Sequence, residues 1–282
     1  MASPTASGTA TWQLWAARVG RAKRAARDNF LTPGDRSGSA GIDFIVWIAR
    51  RGDHVVVIDT GFGAEAGRRR GRVLDTRPAE AVRALGIAGG DVRHVVLTHL
   101  HYDHAGNIAD FPGAEVVVQR AELAYATGPA MRHPALNHFF EPDDVVAVVR
   151  RVFAGTAFVP DGDAELAPGL ELYLVGGHTR GLQVARIHTA RGWVVLTSDA
   201  AHYYGNLGER NPFPAIVDVE RALDAYDRIG RLASSAAHVV PGHDPEIFRR
   251  YASAGVDGCA GIVALHHAPE PAEGHEVMDS RR

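Results

Sequence analysis

Val95-Val96-Leu97-Thr98-His99-Leu100-His101-Tyr102-Asp103-His104-Ala105-Gly106-Asn107 carries an apolar run directly into four potential metal ligands within six positions. The apolar part reads as a buried strand. Side chains alternate along a strand, so His99 and His101 share a side wherever the chain is still extended. A turn after Tyr102 would aim Asp103 and His104 at a second point close by, which suits two metal ions rather than one. Imidazole and carboxylate suit zinc first, with iron, manganese or cobalt accepted by the same donors. The bland alternative is a polar loop that happens to be rich in histidine.

Three later positions weigh against that alternative. His178 lies in Val175-Gly176-Gly177-His178-Thr179, where glycines let the backbone turn sharply at the end of an apolar run. Asp199 ends a second such run, and His243 follows His238-Val239-Val240-Pro241-Gly242. Each candidate ligand therefore falls at a strand end, as a site on one edge of stacked sheets requires. Strands are read over 44–49, 54–59, 92–98, 114–119, 170–175, 183–189, 193–198 and 238–240. Helices are expected over 78–85, 121–127, 143–153 and 218–233, the last capped by Asp218. Strand pairs interrupted by single helices point to two sheets covered by helices on their outer sides.

The composition agrees. The chain has 282 residues, a single cysteine (Cys259), fifteen histidines and a net charge of -3. One cysteine excludes an intrachain disulfide framework and any thiolate-built metal site, so a metal here needs His and carboxylate. No apolar run reaches the roughly 20 residues of a membrane helix, and the weak acidic balance gives no field to hold nucleic acid or a membrane surface. No secretory leader is read at the start, and the expectation is a cytoplasmic protein. Residues 1–10 and 266–282 are expected to be flexible ends around a single domain, 11–265.

The motifs Asp59-Thr60-Gly61, His99-x-His101-x-Asp103-His104, Gly177-His178-Thr179, Ser198-Asp199-Ala200 and Pro241-Gly242-His243 resemble those of the metallo-β-lactamase superfamily, and within it the N-acyl homoserine lactonase family, over about 43–245. The resemblance implies an α/β (α+β) chain folded as a four-layer αββα sandwich. It also implies that His99, His101 and His178 hold one metal, that Asp103, His104 and His243 hold a second, and that Asp199 bridges both. Asp59 would orient the ligand loop from behind. Two neighbouring divalent cations, zinc above all, activate a shared water as hydroxide and polarise a carbonyl, which amounts to ester hydrolysis without a protein nucleophile. Asp103 or Asp199 could also carry the proton to the leaving group, although a pure ligand role serves both equally well.

Weighing the branches of that superfamily leaves a lactone or carboxylic ester as the small-molecule substrate. Common metallo-β-lactamases usually lack the bridging aspartate and are secreted. Glyoxalase-type thioesterases carry a C-terminal helical domain for which little chain follows His243, and the RNA-processing nucleases act on a polyanion. An N-acyl homoserine lactone, and with it quorum quenching, is the leading expectation. A carboxylesterase or thioesterase, or a metal-binding domain without turnover, are the rivals. One departure bears on substrate: the family's lactonases place a tyrosine three residues after the bridging aspartate, and here that position is His202, followed by Tyr203 and Tyr204. His202, or Tyr203 or Tyr204 after a local shift, is therefore the candidate carbonyl donor. The pocket wall is sought in Met131 to Phe140, with His133, His138 and Phe139, and in Phe30 and Tyr204. Trp12, Trp15 and Phe30 are candidate contacts of a homodimer. The remaining histidines, His54, His94, His188, His238, His266, His267 and His275, lack ligand spacing.

Overall fold

The computed structural model describes residues 11–256 and 261–270. Cys259, residues 1–10 and most of the expected C-terminal tail lie outside them. Two sheets are present. The eight-stranded one runs, in spatial order, Ile262–Ala264, Gln13–Ala25, Ser39–Arg51, His54–Ile58, Val92–Val96, Glu115–Val117 and Ala157–Phe158, with Val73–Leu74 pairing beside Gln13–Ala25. The five-stranded one runs Val239–Val240, Gly192–Leu196, Gln183–Thr189, Leu170–Leu174 and Ala164–Ala167.

Alternation along the strands explains the layers. On Ser39–Arg51, Ile45 and Trp47 point between the sheets, where they meet Leu172, Ile187 and Leu196. Phe44, Val46 and Ile48 point the other way, under Val82, Val145 and Val148 of the helices Pro78–Ala84 and Pro142–Phe153. The second sheet is covered in turn by Ala225 and Ile229 of the helix Val219–Leu232. Strands buried on both faces read as unbroken apolar runs, and that is why 44–49 is legible as such, whereas 92–98 is legible from Val95-Val96-Leu97 alone, Arg93 being exposed. The expected αββα sandwich is the observed architecture.

The longest departure from expectation is Gln13–Ala25, a strand of 13 residues that pairs with Ser39–Arg51. Its Arg18, Arg21, Lys23 and Arg24 break the apolar signal, and a register shift between Arg18 and Gly20 breaks the period as well. Trp12 and Trp15, read as a surface for a second subunit, are instead buried in the chain's own core. His266, expected in a loose tail, has Nδ1 2.8 Å from the Leu14 carbonyl oxygen and its ring edge-on to Trp15. Among the described residues no helix is long and apolar enough to cross a membrane.

At one edge the two sheets are stitched by a buried amide. The Gln183 backbone N–H donates to the Thr98 carbonyl (3.0 Å), and its side chain donates to the Leu97 carbonyl (2.8 Å) and accepts from Gln119 (3.0 Å). This edge is where the histidines converge.

Candidate metal centre

Asp59 begins the site's construction. It sits at φ 61, in the left-handed region that non-glycine residues seldom occupy. Its N–H donates to Val96 (2.8 Å), while its carboxylate accepts from the Thr98 N–H (2.8 Å) and lies 2.8 Å from His104 Nδ1. Asp59 thus turns His104 so that Nε2 faces the site. Gly61 and Gly106 allow the next close approach: Gly106 N–H donates to the Gly61 carbonyl (2.9 Å), and a Cβ on Gly106 would stand 2.5 Å from Gly63 N. Backbone cannot yield there. Gly106→Ala is expected to cost about 1–3 kcal/mol in denaturant unfolding, as overpacking does elsewhere, and to weaken metal binding by displacing His104.

A second crossing fixes Asp199. Ser198 has φ 44, and a Cβ at Gly242 would fall 2.5 Å from the Ser198 carbonyl oxygen. The Ser-Asp-Ala and Pro-Gly-His segments therefore touch backbone to backbone, which sets Asp199 against His243. Thr98 Oγ1 lies 2.8 Å from Ser198 Oγ and 2.8 Å from Asp59 Oδ2, so the segments that carry His99 and Asp199 share one hydrogen-bonded knot with Asp59.

The donors form two groups around one carboxylate. His99, His101, His178 and Asp199 present ligand atoms within 4.8 Å of one another, and so do Asp103, His104 and His243. Asp199 Oδ2 is 3.1 Å from His178 Nε2 and 3.8 Å from His99 Nε2. Its Oδ1 is 2.9 Å from His243 Nε2 and 3.2 Å from His104 Nε2. Burial alone would raise the Asp199 pKa, but the surrounding imidazoles of His202, His104, His243 and His178 hold it well below the usual carboxylate range. Burial, with imidazole neighbours adding to it, pushes His99 and His101 well below the usual histidine value.

This donor set fits divalent metal ions. His99 Nε2 and His104 Nε2 are buried and make no hydrogen bond among the described residues, an arrangement that is costly unless a cation is the partner. The outer nitrogens are meanwhile satisfied. His243 Nδ1 is 2.7 Å from the Asp43 carbonyl oxygen, His178 Nδ1 pairs with the Ala215 carbonyl oxygen, and His104 Nδ1 faces Asp59. Such partners fix tautomer and ring orientation, so that the inward nitrogen offers its lone pair.

Glu122, absent from the sequence reading, is a further support. It is fully buried on the helix Arg120–Ala126 and accepts from the Leu100 N–H (2.9 Å) and the Gly181 N–H (3.0 Å). Leu100 separates His99 from His101, and Gly181 follows His178 by three positions. One carboxylate thereby ties together the two loops that carry His99, His101 and His178. Burial raises the Glu122 pKa, opposed by those two N–H donors and the Thr179 hydroxyl. Its sequence setting, Gln119-Arg120-Ala121-Glu122, resembles any helix start, and only the fold reveals its task.

The other expected residues separate. His202 is buried with Nε2 3.1 Å from Asp199 Oδ2, its ring stacked on Phe213 at 3.7 Å, and burial pushes its pKa down to about 3. His202 also joins Asp199 and His243 in a third cluster of donors within 4.8 Å. Tyr203 turns away: its hydroxyl donates to the Gly41 carbonyl (2.9 Å). Tyr204 packs toward the inter-sheet core beneath Arg250, and Phe30 lies under the Arg36 guanidinium. The structure does not bring these three side chains to the His/Asp clusters.

A cavity of about 280 Å³ opens in front of His101 and His178. His138 and Phe139 line it, as expected, together with Tyr125, Leu136, Phe213 and Arg24, while His133, Phe30 and Tyr204 do not. The His133 ring is bonded to Arg132 instead. The segment expected to cap the pocket forms two short turns, Pro129–Arg132 and Pro134–Asn137, and is pinned to the ligand loop where Tyr102 N–H donates to the Phe139 carbonyl (2.8 Å).

Comparison with known proteins places these observations. The family model described as "Metallo-beta-lactamase superfamily" matches residues 44–243. A probable metallo-hydrolase of Mycobacterium tuberculosis is 31% identical over 230 residues, 72% of this chain and 71% of that one. An N-acyl homoserine lactonase of Bacillus cereus is 26% identical over 241 residues, 79% of this chain and 88% of that one. Among solved structures, a quorum-quenching N-acyl homoserine lactone lactonase superposes with a TM-score of 0.70 at 23% identity, covering 85% of this chain and 94% of its own.

Proposed function

Because the chain belongs to the metallo-beta-lactamase superfamily, we propose that the metal-dependent hydrolysis its site supports is directed at a lactone, an N-acyl homoserine lactone or a related small one. The observation that carries this reading is Asp199, whose two carboxylate oxygens each face a separate group of histidines. Asp199 would bridge two cations, with His99, His101 and His178 completing one site and Asp103, His104 and His243 the other. Zinc is the metal we assign, iron, manganese and cobalt being compatible with the same donors. When bound, the pair supplies a water activated at neutral pH and Lewis-acid polarisation of the ester carbonyl.

The chain's own residues do the rest. Asp59, the Asp43 carbonyl and the Ala215 carbonyl hold the imidazoles in place, and Glu122 locks the two ligand loops together. His202 Nε2 lies 3.1 Å from Asp199 Oδ2, so an Nε2–H would donate to that carboxylate and help to orient it; His202 thus serves Asp199 rather than the substrate carbonyl. Asp103 is the more accessible of the two acidic ligands, with 12% of its side chain exposed against 4% for Asp199, and is the one placed to pass a proton to the departing alkoxide. Phe139, Leu136, Tyr125 and Phe213 supply the apolar wall for an acyl group and exclude bulk water.

A panel of acyl-homoserine lactones of graded chain length, set beside simple aromatic esters and thioesters, tests this reading. The expected result is kcat/KM highest on a lactone, by about tenfold or more over the best ester, which corresponds to about 1.4 kcal/mol of transition-state preference. An aromatic ester or thioester turned over best, with every lactone inert, would instead make the chain an esterase on the same centre.

A further inference from the structure

Arg24 is the single permanently charged residue in the lining of the cavity in front of the metal centre, and that lining holds no carboxylate. It sits near the end of the strand Gln13–Ala25, half-buried, with its guanidinium over the Phe213 ring at 4.8 Å. Two neutral acceptors hold it: Nε donates to Asn29 Oδ1 (3.0 Å) and Nη2 to the Asp28 carbonyl oxygen (3.0 Å). Among the described residues no acid pairs with it, since the Asp28 carboxylate lies 3.7 Å from Arg27. Nη1 makes no hydrogen bond there either.

A guanidinium that is oriented by neutral groups and left uncompensated beside an apolar cavity keeps its full charge for a ligand. Phe213 carries Arg24 over its ring and is itself stacked on His202, which contacts Asp199. The stack therefore connects the cation to Asp199 through two rings. One cavity is lined by His101 and His178, by the apolar side chains of Leu136, Phe139 and Ile216, and by the Arg24 guanidinium, a fork suited to a carboxylate. A plain alkyl chain would leave this fork without a partner.

We propose that Arg24 is a specificity-determining residue, and that the preferred substrate is a lactone or ester whose acyl chain carries an anionic group, a carboxylate, at its far end. The inference rests on the reading of the site as an ester hydrolase, because that reading puts the carbonyl at the metals and the acyl chain in the cavity. Arg180 and Arg221 line a neighbouring cavity beyond Tyr125 and Leu136, where Arg221 is committed to the Val175 carbonyl and Asp218 supplies an acid. That region is not matched to an anion in the same way.

Binding of product-like acids to the metal-loaded protein tests the proposal without calling on turnover. Calorimetry would compare succinate, adipate and suberate with butyrate, hexanoate and octanoate, pairs matched in carbon number that differ in having a second carboxylate. At least one dicarboxylate is expected to bind about tenfold or more tightly than its partner, as a charge-assisted pair allows. Arg24→Gln should bring that ratio to about one, and Arg24→Lys, which keeps the charge but loses the fork, should retain part of it. Equal binding within every pair by the wild-type protein would overturn the proposal, as would a preference that survives Arg24→Gln. Adipamate binding as well as adipate would overturn the anionic character of the ligand. Failure of the lactone panel with these ratios intact would count against the lactone reading alone.

Discussion

Asp199→Ala is expected to lower kcat/KM by at least about 100-fold, the upper end of what removing a residue that merely orients a metal ligand costs, and to disturb both metal sites together. The reason is geometric. Asp199 Oδ2 faces His178 and His99 while Oδ1 faces His243 and His104, so among the described residues this one carboxylate spans the two groups. Removing the carboxylate also leaves several buried imidazoles without the charge that balances bound cations. Metal analysis of the purified variant should find clearly less metal than in the wild type, with the fold retained by circular dichroism. Unchanged metal content would refute the bridging role. Asp199→Asn is the finer version: it keeps the shape but offers one oxygen, and should spare one site more than the other.

Glu122→Ala should produce the second largest effect, and it should appear even without metal. The Leu100 and Gly181 N–H groups would be left buried with no acceptor, at about 2–4 kcal/mol in total for the two. Urea unfolding of the metal-free protein reads this term directly. In the metal-loaded protein the same change should weaken metal affinity by about 10- to 100-fold, in line with other residues that support a ligand from behind. At saturating metal kcat should recover more than metal affinity does, because Glu122 does not touch the reacting groups. A variant with normal stability and normal metal affinity would show that the two loops hold themselves. Glu122→Gln, keeping one acceptor oxygen, should recover part of both losses.

How much of this could be read beforehand follows from the kind of residue involved. All seven proposed ligands are legible as candidates, because four of them crowd into the six positions 99–104 and His178, Asp199 and His243 each close an apolar run, a spacing that chemistry explains better than packing. Asp59 was legible only through the motif it belongs to. Its unusual backbone angle, which lets one carboxylate reach both Thr98 and His104, is invisible in one dimension. The supports of His243 and His178 are backbone carbonyls of Asp43 and Ala215, and a carbonyl leaves no trace in residue identity. Glu122 is a helix residue like many others until the fold carries Leu100 and Gly181 to it.

The same logic explains the errors. Gln13–Ala25 was not read as a strand because its basic residues interrupt the apolar pattern. One of those residues, Arg24, reaches the cavity from across the sheet edge. Tyr203 looked like a replacement for the carbonyl-binding tyrosine because it adjoins His202, yet adjacent residues point apart, and its hydroxyl is spent on Gly41. Trp12 and Trp15 looked available to a partner only as long as no strand was expected around them.

Two divalent ions, held by the two groups that meet at Asp199, are proposed to open a lactone. The most direct measurement starts from chelated, metal-free protein and adds zinc in steps while hydrolysis of a single acyl-homoserine lactone is followed. Activity is predicted to be absent at first and to level off at about two equivalents of metal per chain. Full lactone hydrolysis by the metal-free protein, or a plateau already complete at about one equivalent, would contradict the account.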